Sequence, residues 1–142
     1  MSMPGLVSTG YTFVPNYAWI WDQKTIQQVI VEIDHTISDA TLPATYPPGV
    51  VRGGTVLGKV TATGVYKQYS DIAGDGTEVA VGILLHPLRP LVDQFGIAIA
   101  AGQKVLAAMV IAGTIDKDEL IGYDTAAGVD LRAAGFIIKN DF

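Results

Sequence analysis

Cysteine is missing from the chain altogether. Its absence removes disulfides, thiolate metal sites and cysteine nucleophiles together, and leaves packing and association as the sources of stability. Charge is scarce as well: 16% of the residues are Asp, Glu, Lys or Arg, against roughly 25% in an average soluble domain. Nine basic residues are scattered singly among fourteen acidic ones, for a net charge of −5. Phosphate contacts need clustered Lys and Arg, so nucleic acid is not expected as a partner. Long hydrophobic runs are lacking too. The longest, residues 105–112, is far short of the about 18 residues that a spanning helix requires, so no membrane partner is expected. No apolar segment with a small-residue cleavage site precedes the first basic residue, Lys24. A secretory signal is therefore not expected, and the chain should stay inside the cell that makes it until something releases it.

What is present is apolar. Hydrophobic residues make up 49% of 142 residues, enough for one domain with a real core and too short for a second. The surplus apolar surface must be covered, and with membrane burial set aside the remaining place is protein–protein contact. Stability through association, as an obligate oligomer or assembly component, is the expectation.

Along the chain, residues 1–24 hold two prolines, two glycines and a crowd of aromatics, and read as an extended N-terminal arm ahead of a β-rich domain at 25–142. Tyr11, Phe13, Tyr17, Trp19 and Trp21 occupy odd positions, which in an extended chain places them on one face. Exposed apolar surface costs roughly 25 cal/mol per Å², so such a stripe needs a partner. Docking on its own domain as an edge strand and crossing to a neighbouring molecule both stay open. The β-branched run Ile26, Val29, Ile30, Val31, Ile33 suggests a strand, with a helix as the alternative. Pro43, Pro47, Pro48 and the Gly53–Gly54 pair make residues 36–54 a loop. Strands follow at 56–63, 65–69 and 79–85, separated by turns at Gly64 and at Gly74-Asp75-Gly76. Two more are expected at 97–101 and 105–112, the latter fully buried. A short helical turn fits 116–120. A helix fits 124–134, with Asp124 or Thr125 as its cap and Gly135 closing it. Phe136, Ile137 and Ile138 form a last strand. The fold class is mainly β, a compact barrel-like domain with one or two short helices.

Particular residues suggest five chemical readings. Residues 53–60 match the GxxxxGK skeleton of a phosphate loop, but Val60 stands where magnesium needs a hydroxyl, and the following residues look β-like where a helix must open. Asp71, Asp75, Gly76 and Glu78 sketch a calcium loop that fails at Ala73 and at Gly82; a hairpin tip with solvated acids is the simpler reading. His35 and His86, the two histidines, have no metal-binding spacing, and neither Ser38 nor Ser70, the serines available to His86 and Asp93, sits in a nucleophile turn. Aromatic platforms for sugars would need aromatics on the strands, whereas most lie in the arm. No enzyme, metal or cofactor is therefore expected; a carbohydrate-binding or adhesive module is the alternative class.

The stretch RGGTVLGKVTATGVYKQYSDIAGDGTEVAVGILLHPL, residues 52–88, resembles the lambda-type bacteriophage head decoration protein family, in which a text of the form GTVLGKVT…G.Y…Y….DG.E.AVGIL recurs. Residues 107–113 and 131–138 follow the family more loosely, and residues 1–24 do not follow it. The resemblance implies a β-tulip fold, homotrimers made in the host cytoplasm, and binding to the major capsid protein at local three-fold positions on the outer surface of the expanded head. It implies no catalysis. The matching residues are turn glycines and core aliphatics, so they carry fold more securely than contacts. The aromatic arm is the candidate tether to the capsid or to neighbouring trimers.

Overall fold

The computed structural model describes residues 17–34, 51–88 and 104–139. The expected strands at 97–101 and most of the 36–54 loop lie outside the described residues. Within them the protein is mainly β: β1 (Ile20–Asp34), β2 (Val56–Lys59), β3 (Tyr66–Gln68), β4 (Ala80–Leu84), β5 (Lys104–Asp116), a 3-10 turn (Lys117–Glu119), α1 (Thr125–Ala134) and β6 (Phe136–Lys139). The β-branched run that opened the helix alternative lies in β1, since alternating faces let it serve an interior and an exterior at once.

The strand order is β1-β3-β2-β4-β5-β6, and β1 also pairs with β5. Five strands thus close a ring, which is what barrel-like means here. The seam between β1 and β5 is long, running antiparallel from Ile20 opposite Ile115 to Asp34 opposite Lys104. Opposite it the ring closes through one pair, Ile33 with Tyr66. β6 adds in parallel to the far half of β5, beyond the stretch that β4 occupies.

Each side of this sheet has its own core. Val31, Ile33, Leu57, Leu84 and Met109, with Tyr66, Val81, Val105, Ala107 and Ile111 beside them, fill the ring. Val56, Tyr69, Ala80, Ile83, Val110, Ile115, Ala127, Leu131, Phe136 and Ile138 pack outside it, under α1 and β6. A register shift between β2 and β4 sets Leu57 opposite Gly82 and Gly58 opposite Ala80. Val81 is the extra residue of that bulge. It puts Val81 and Leu84 on the inner side and Ala80 and Ile83 on the outer one.

Gly58 is one of the places where two backbones approach closely. A Cβ on it would stand 2.6 Å from the Thr77 Cα, so the segment after the acidic tip passes directly over β2, as a glycine inside a strand suggests. Gly58→Ala is expected to lose about 1–3 kcal/mol, the usual cost of overpacking, read as a lower urea midpoint. An unchanged midpoint would mean that the Thr77 backbone yields freely.

The helical segments follow local chemistry. Asp116 accepts from the Asp118 N–H at 3.1 Å and caps the 3-10 turn. Asp124 caps α1, accepting from the Ala127 N–H at 2.7 Å, and Gly135 ends it at φ 117°, a left-handed conformation suited to glycine. The tip between β3 and β4 is organised by its acids. Asp75 accepts from the Thr77 hydroxyl at 2.6 Å and from its N–H at 3.1 Å, and these bonds hold its carboxyl below the usual carboxylate range. Glu78 accepts from the Gly76 N–H at 2.8 Å.

Two expectations need correction. β5 is not fully buried, because Leu106 is 74% exposed; an all-apolar run does not reveal that only alternate side chains reach the ring interior. β1 begins at Ile20, so the residue 24/25 boundary drawn from composition falls inside a strand.

Candidate docking surface

The long β1–β5 seam is regular from Gln28 to Asp34 and shifts register at three steps between Ile20 and Gln28, the largest of them after Asp22. Asp22 pairs with Thr114 and Gln27 with Ala112, so β1 advances five residues while β5 advances two. The three extra residues of β1 bulge outward and are pinned there. Thr25 Oγ1 donates to the Asp22 carbonyl at 2.9 Å and accepts from the Thr114 N–H at 3.1 Å, while Asp22 Oδ1 accepts from the Lys24 N–H at 3.0 Å. The bulge walls a cleft of about 350 Å³ lined by Tyr17, Ile20, Gln23, Ile26, Gln28 and Leu85. At its rim the Tyr17 hydroxyl lies 2.8 Å from His86 Nδ1, with the two rings edge to face.

Beyond Gln28 the outward face of the same ribbon is open and apolar. Ile30 pairs with Ala108 and Glu32 with Leu106, and paired residues of an antiparallel ladder share a face. Since Val31, Ile33, Ala107 and Met109 fill the ring, Ile30, Leu106 and Ala108 must point away from it. Ile30 is 66% exposed. Leu85, whose N–H donates to the Ala108 carbonyl at 3.0 Å, joins this face to the cleft. Full burial of an Ile or Leu side chain gains roughly 1.5–3 kcal/mol, so a pair left in water is a standing drive toward association.

Two further exposed apolar residues lie by the start of β4, next in sequence to Glu78 and Asp130. Asp130 of α1 accepts from the Ala80 N–H at 3.0 Å. Val79 and Val129, each one residue from that bond, are 48% and 56% exposed.

The five aromatics of the N-terminal stripe do not share one environment. Tyr11 and Phe13 lie outside the described residues. Trp19 is fully buried in the outer core, and its carbonyl accepts from the Asp116 N–H at 2.8 Å. Trp21 is 57% exposed, but Lys139 Nζ stands 3.7 Å from its ring centroid and also 3.7 Å from Asp116 Oδ2. The ammonium therefore occupies one face of the ring that a sugar would need. Residues 18 and 19 form a turn before β1, so the two-residue alternation that would align the tryptophans does not run through Trp19. Sequence reasoning missed Ile30 and Leu106; the signal was their place within apolar runs on two strands whose pairing the chain does not announce.

The GxxxxGK segment is a turn at Gly53 and Gly54 that runs into strand β2, followed by a turn at 61–63 in place of the helix a phosphate loop requires. Ser38, His35 and Asp93 of the other candidate chemistry lie outside the described residues. Among the described residues no helix is long and apolar enough to cross a membrane.

No curated protein matches the chain. The family model described as bacteriophage lambda head decoration protein D matches residues 24–94. That is 71 of 142 residues, half of the chain, and it spans β1 from Lys24 onward, β2, β3, β4 and the acidic tip. The family is structural, and its place is the phage capsid. With half of its length, including four strands of the closed ring, matched by that one description, the chain belongs to the bacteriophage lambda head decoration protein D family.

Proposed function

We propose that the protein is a capsid cement. It binds the outer surface of the expanded phage head as a homotrimer, contacts the major capsid protein, and stabilises the shell against the outward pressure of packaged DNA. The family match over residues 24–94 carries this reading. A ligand that binds only the expanded lattice stabilises it by about 1.4 kcal/mol for each tenfold of concentration above Kd. Three linked copies bind with a high effective concentration, so modest single contacts release slowly.

In this reading the N-terminal segment is a tether to the shell or to neighbouring trimers. Tyr11, Phe13, Tyr17 and Trp21 supply its contacts, and the buried Trp19 anchors its root to the domain. A chain lacking residues 2–16 keeps Trp19 and all of β1. It should remain trimeric and co-sediment with expanded heads less tightly than the full chain, while neither version pellets with unexpanded heads. Undiminished affinity in the truncated chain would remove the tether. A full-length chain that ignores both kinds of head would remove the cement role.

A further inference from the structure

We infer that the fold guards the Asp75–Gly76 link at the acidic tip against isomerisation, so that this aspartate lasts in the folded chain and converts to isoaspartate only when the tip opens.

Asp75–Gly76 is the one Asp-Gly dipeptide of the sequence, and no Asn-Gly occurs. Such a pair is among the most reactive links in an unfolded chain, because glycine has no Cβ to shield its nitrogen. The Gly76 nitrogen attacks Asp75 Cγ, the new C–N bond closes a five-membered succinimide, and a carboxyl oxygen leaves as water with the amide and carboxyl protons. Solvent water then adds at either ring carbonyl. Breaking the new Cγ–N bond restores aspartate, whereas breaking the original peptide bond leaves the chain running through Cβ and Cγ, one carbon longer. No oxidant or cofactor enters.

Both reacting groups are held back here. The reaction needs a neutral carboxyl free to swing Cγ onto the nitrogen. Asp75 instead accepts from the Thr77 hydroxyl at 2.6 Å and from its N–H at 3.1 Å, bonds that favour the ionised, unreactive form. The reaction also needs the Gly76 nitrogen, whose N–H is taken by the Glu78 carboxylate at 2.8 Å. Two more bonds fix the flanking backbone: the Thr61 N–H donates to the Asp75 carbonyl at 2.9 Å, and the Ser70 N–H to the Thr77 carbonyl at 3.1 Å.

The product does not fit either. Gly76 lies at φ 109° against the Lys59 carbonyl, which a Cβ there would meet at 2.5 Å, and Thr77 passes over Gly58 with as little room. An extra backbone carbon between residues 75 and 76 would displace Thr77 from that crossing. The guard does not rest on the cement reading; that reading gives it a use, since a shell protein outside its host is not replaced by new synthesis.

The test follows isoaspartate at position 75 by peptide chromatography and mass spectrometry after incubation of the full chain at neutral pH. It should form at least about tenfold more slowly in the folded chain than in the same chain in guanidinium chloride, the factor given by a tip that opens at a cost of about 1.4 kcal/mol. Glu78→Ala, which frees the Gly76 N–H, and Thr77→Val, which takes the hydroxyl from Asp75, should each isomerise faster than the wild type while folded by circular dichroism. Thr77→Ser keeps a hydroxyl and should stay close to the wild-type rate. Equal rates in the folded and the denatured wild type would overturn the guard. So would a folded Glu78→Ala chain that keeps the wild-type rate, and this variant spares the fold because Glu78 belongs to neither core.

Discussion

Trp19→Ala is expected to cost about 3–5 kcal/mol, the range for deleting a large buried aromatic. A domain of this size has only about 5–15 kcal/mol in total. The indole is fully buried in the outer core cluster that also holds Ile115, Leu131, Phe136 and Ile138, so its removal opens a cavity in that core. Trp21→Ala should cost about 1 kcal/mol or less, because that ring is more than half exposed and loses mainly its contact with the Lys139 ammonium. Urea unfolding of the two variants checks the difference directly. Equal losses would mean that the two rings share one environment after all, as the unbroken odd-position stripe implies. The contrast also decides how binding data should be read: weak head binding by Trp19→Ala would report a damaged domain, whereas the same result for Trp21→Ala would report a contact.

Asp124→Ala should be the next most damaging, at about 2–4 kcal/mol, from two separate losses. The Asp124 Oδ1 atom accepts from the Ala127 N–H at 2.7 Å and from the Tyr69 hydroxyl at 2.9 Å. Losing a helix cap costs about 1 kcal/mol, and leaving a buried hydroxyl unpaired costs about 1–3 kcal/mol more. Tyr69 is 5% exposed, so water does not readily replace the carboxylate. Asp124→Asn keeps an acceptor for both donors and should cost much less. In Asp124→Ala, a further Tyr69→Phe change should cost little, since the hydroxyl is already without that partner; additive losses would mean the pair does not act together.

The same pair sets a dependence on alkaline pH. Burial first, then the Asp124 hydrogen bond and nearby carboxylates, raise the Tyr69 pKa well above that of an ordinary phenol. An unfolded tyrosine ionises near pH 10, while the folded one stays protonated. Its contribution is therefore whole below about pH 10 and is lost as pH rises above it. Tyr69→Phe should flatten the fall in stability over that window, whereas an identical fall in the variant would assign it to other groups.

The chain by itself determined a good deal. The acidic, cysteine-free composition, the turn glycines, the helix capped by Asp124 and ended by Gly135, and the strands around Val56, Tyr66 and Ile83 were all legible. Each is a local matter of backbone conformation, capping or side-chain type. The family text in residues 52–88 lies inside the matched stretch 24–94 for the same reason, since it consists of residues with local jobs. Gly58 was legible as a close approach, though not that Thr77 would be the segment passing over it. Only the tertiary structure decided which apolar residues are core and which are surface. Ile30 and Val31 are adjacent and chemically alike, yet one stands in solvent and the other faces the ring. Trp19 and Trp21 were parted by a turn and by the place where β1 meets β5. Strand pairing between residues about eighty apart, such as Ile30 with Ala108, assigns the faces, and a one-residue slip would exchange them all. That register is set by the summed burial of the whole sheet, and no single stretch of sequence contains it.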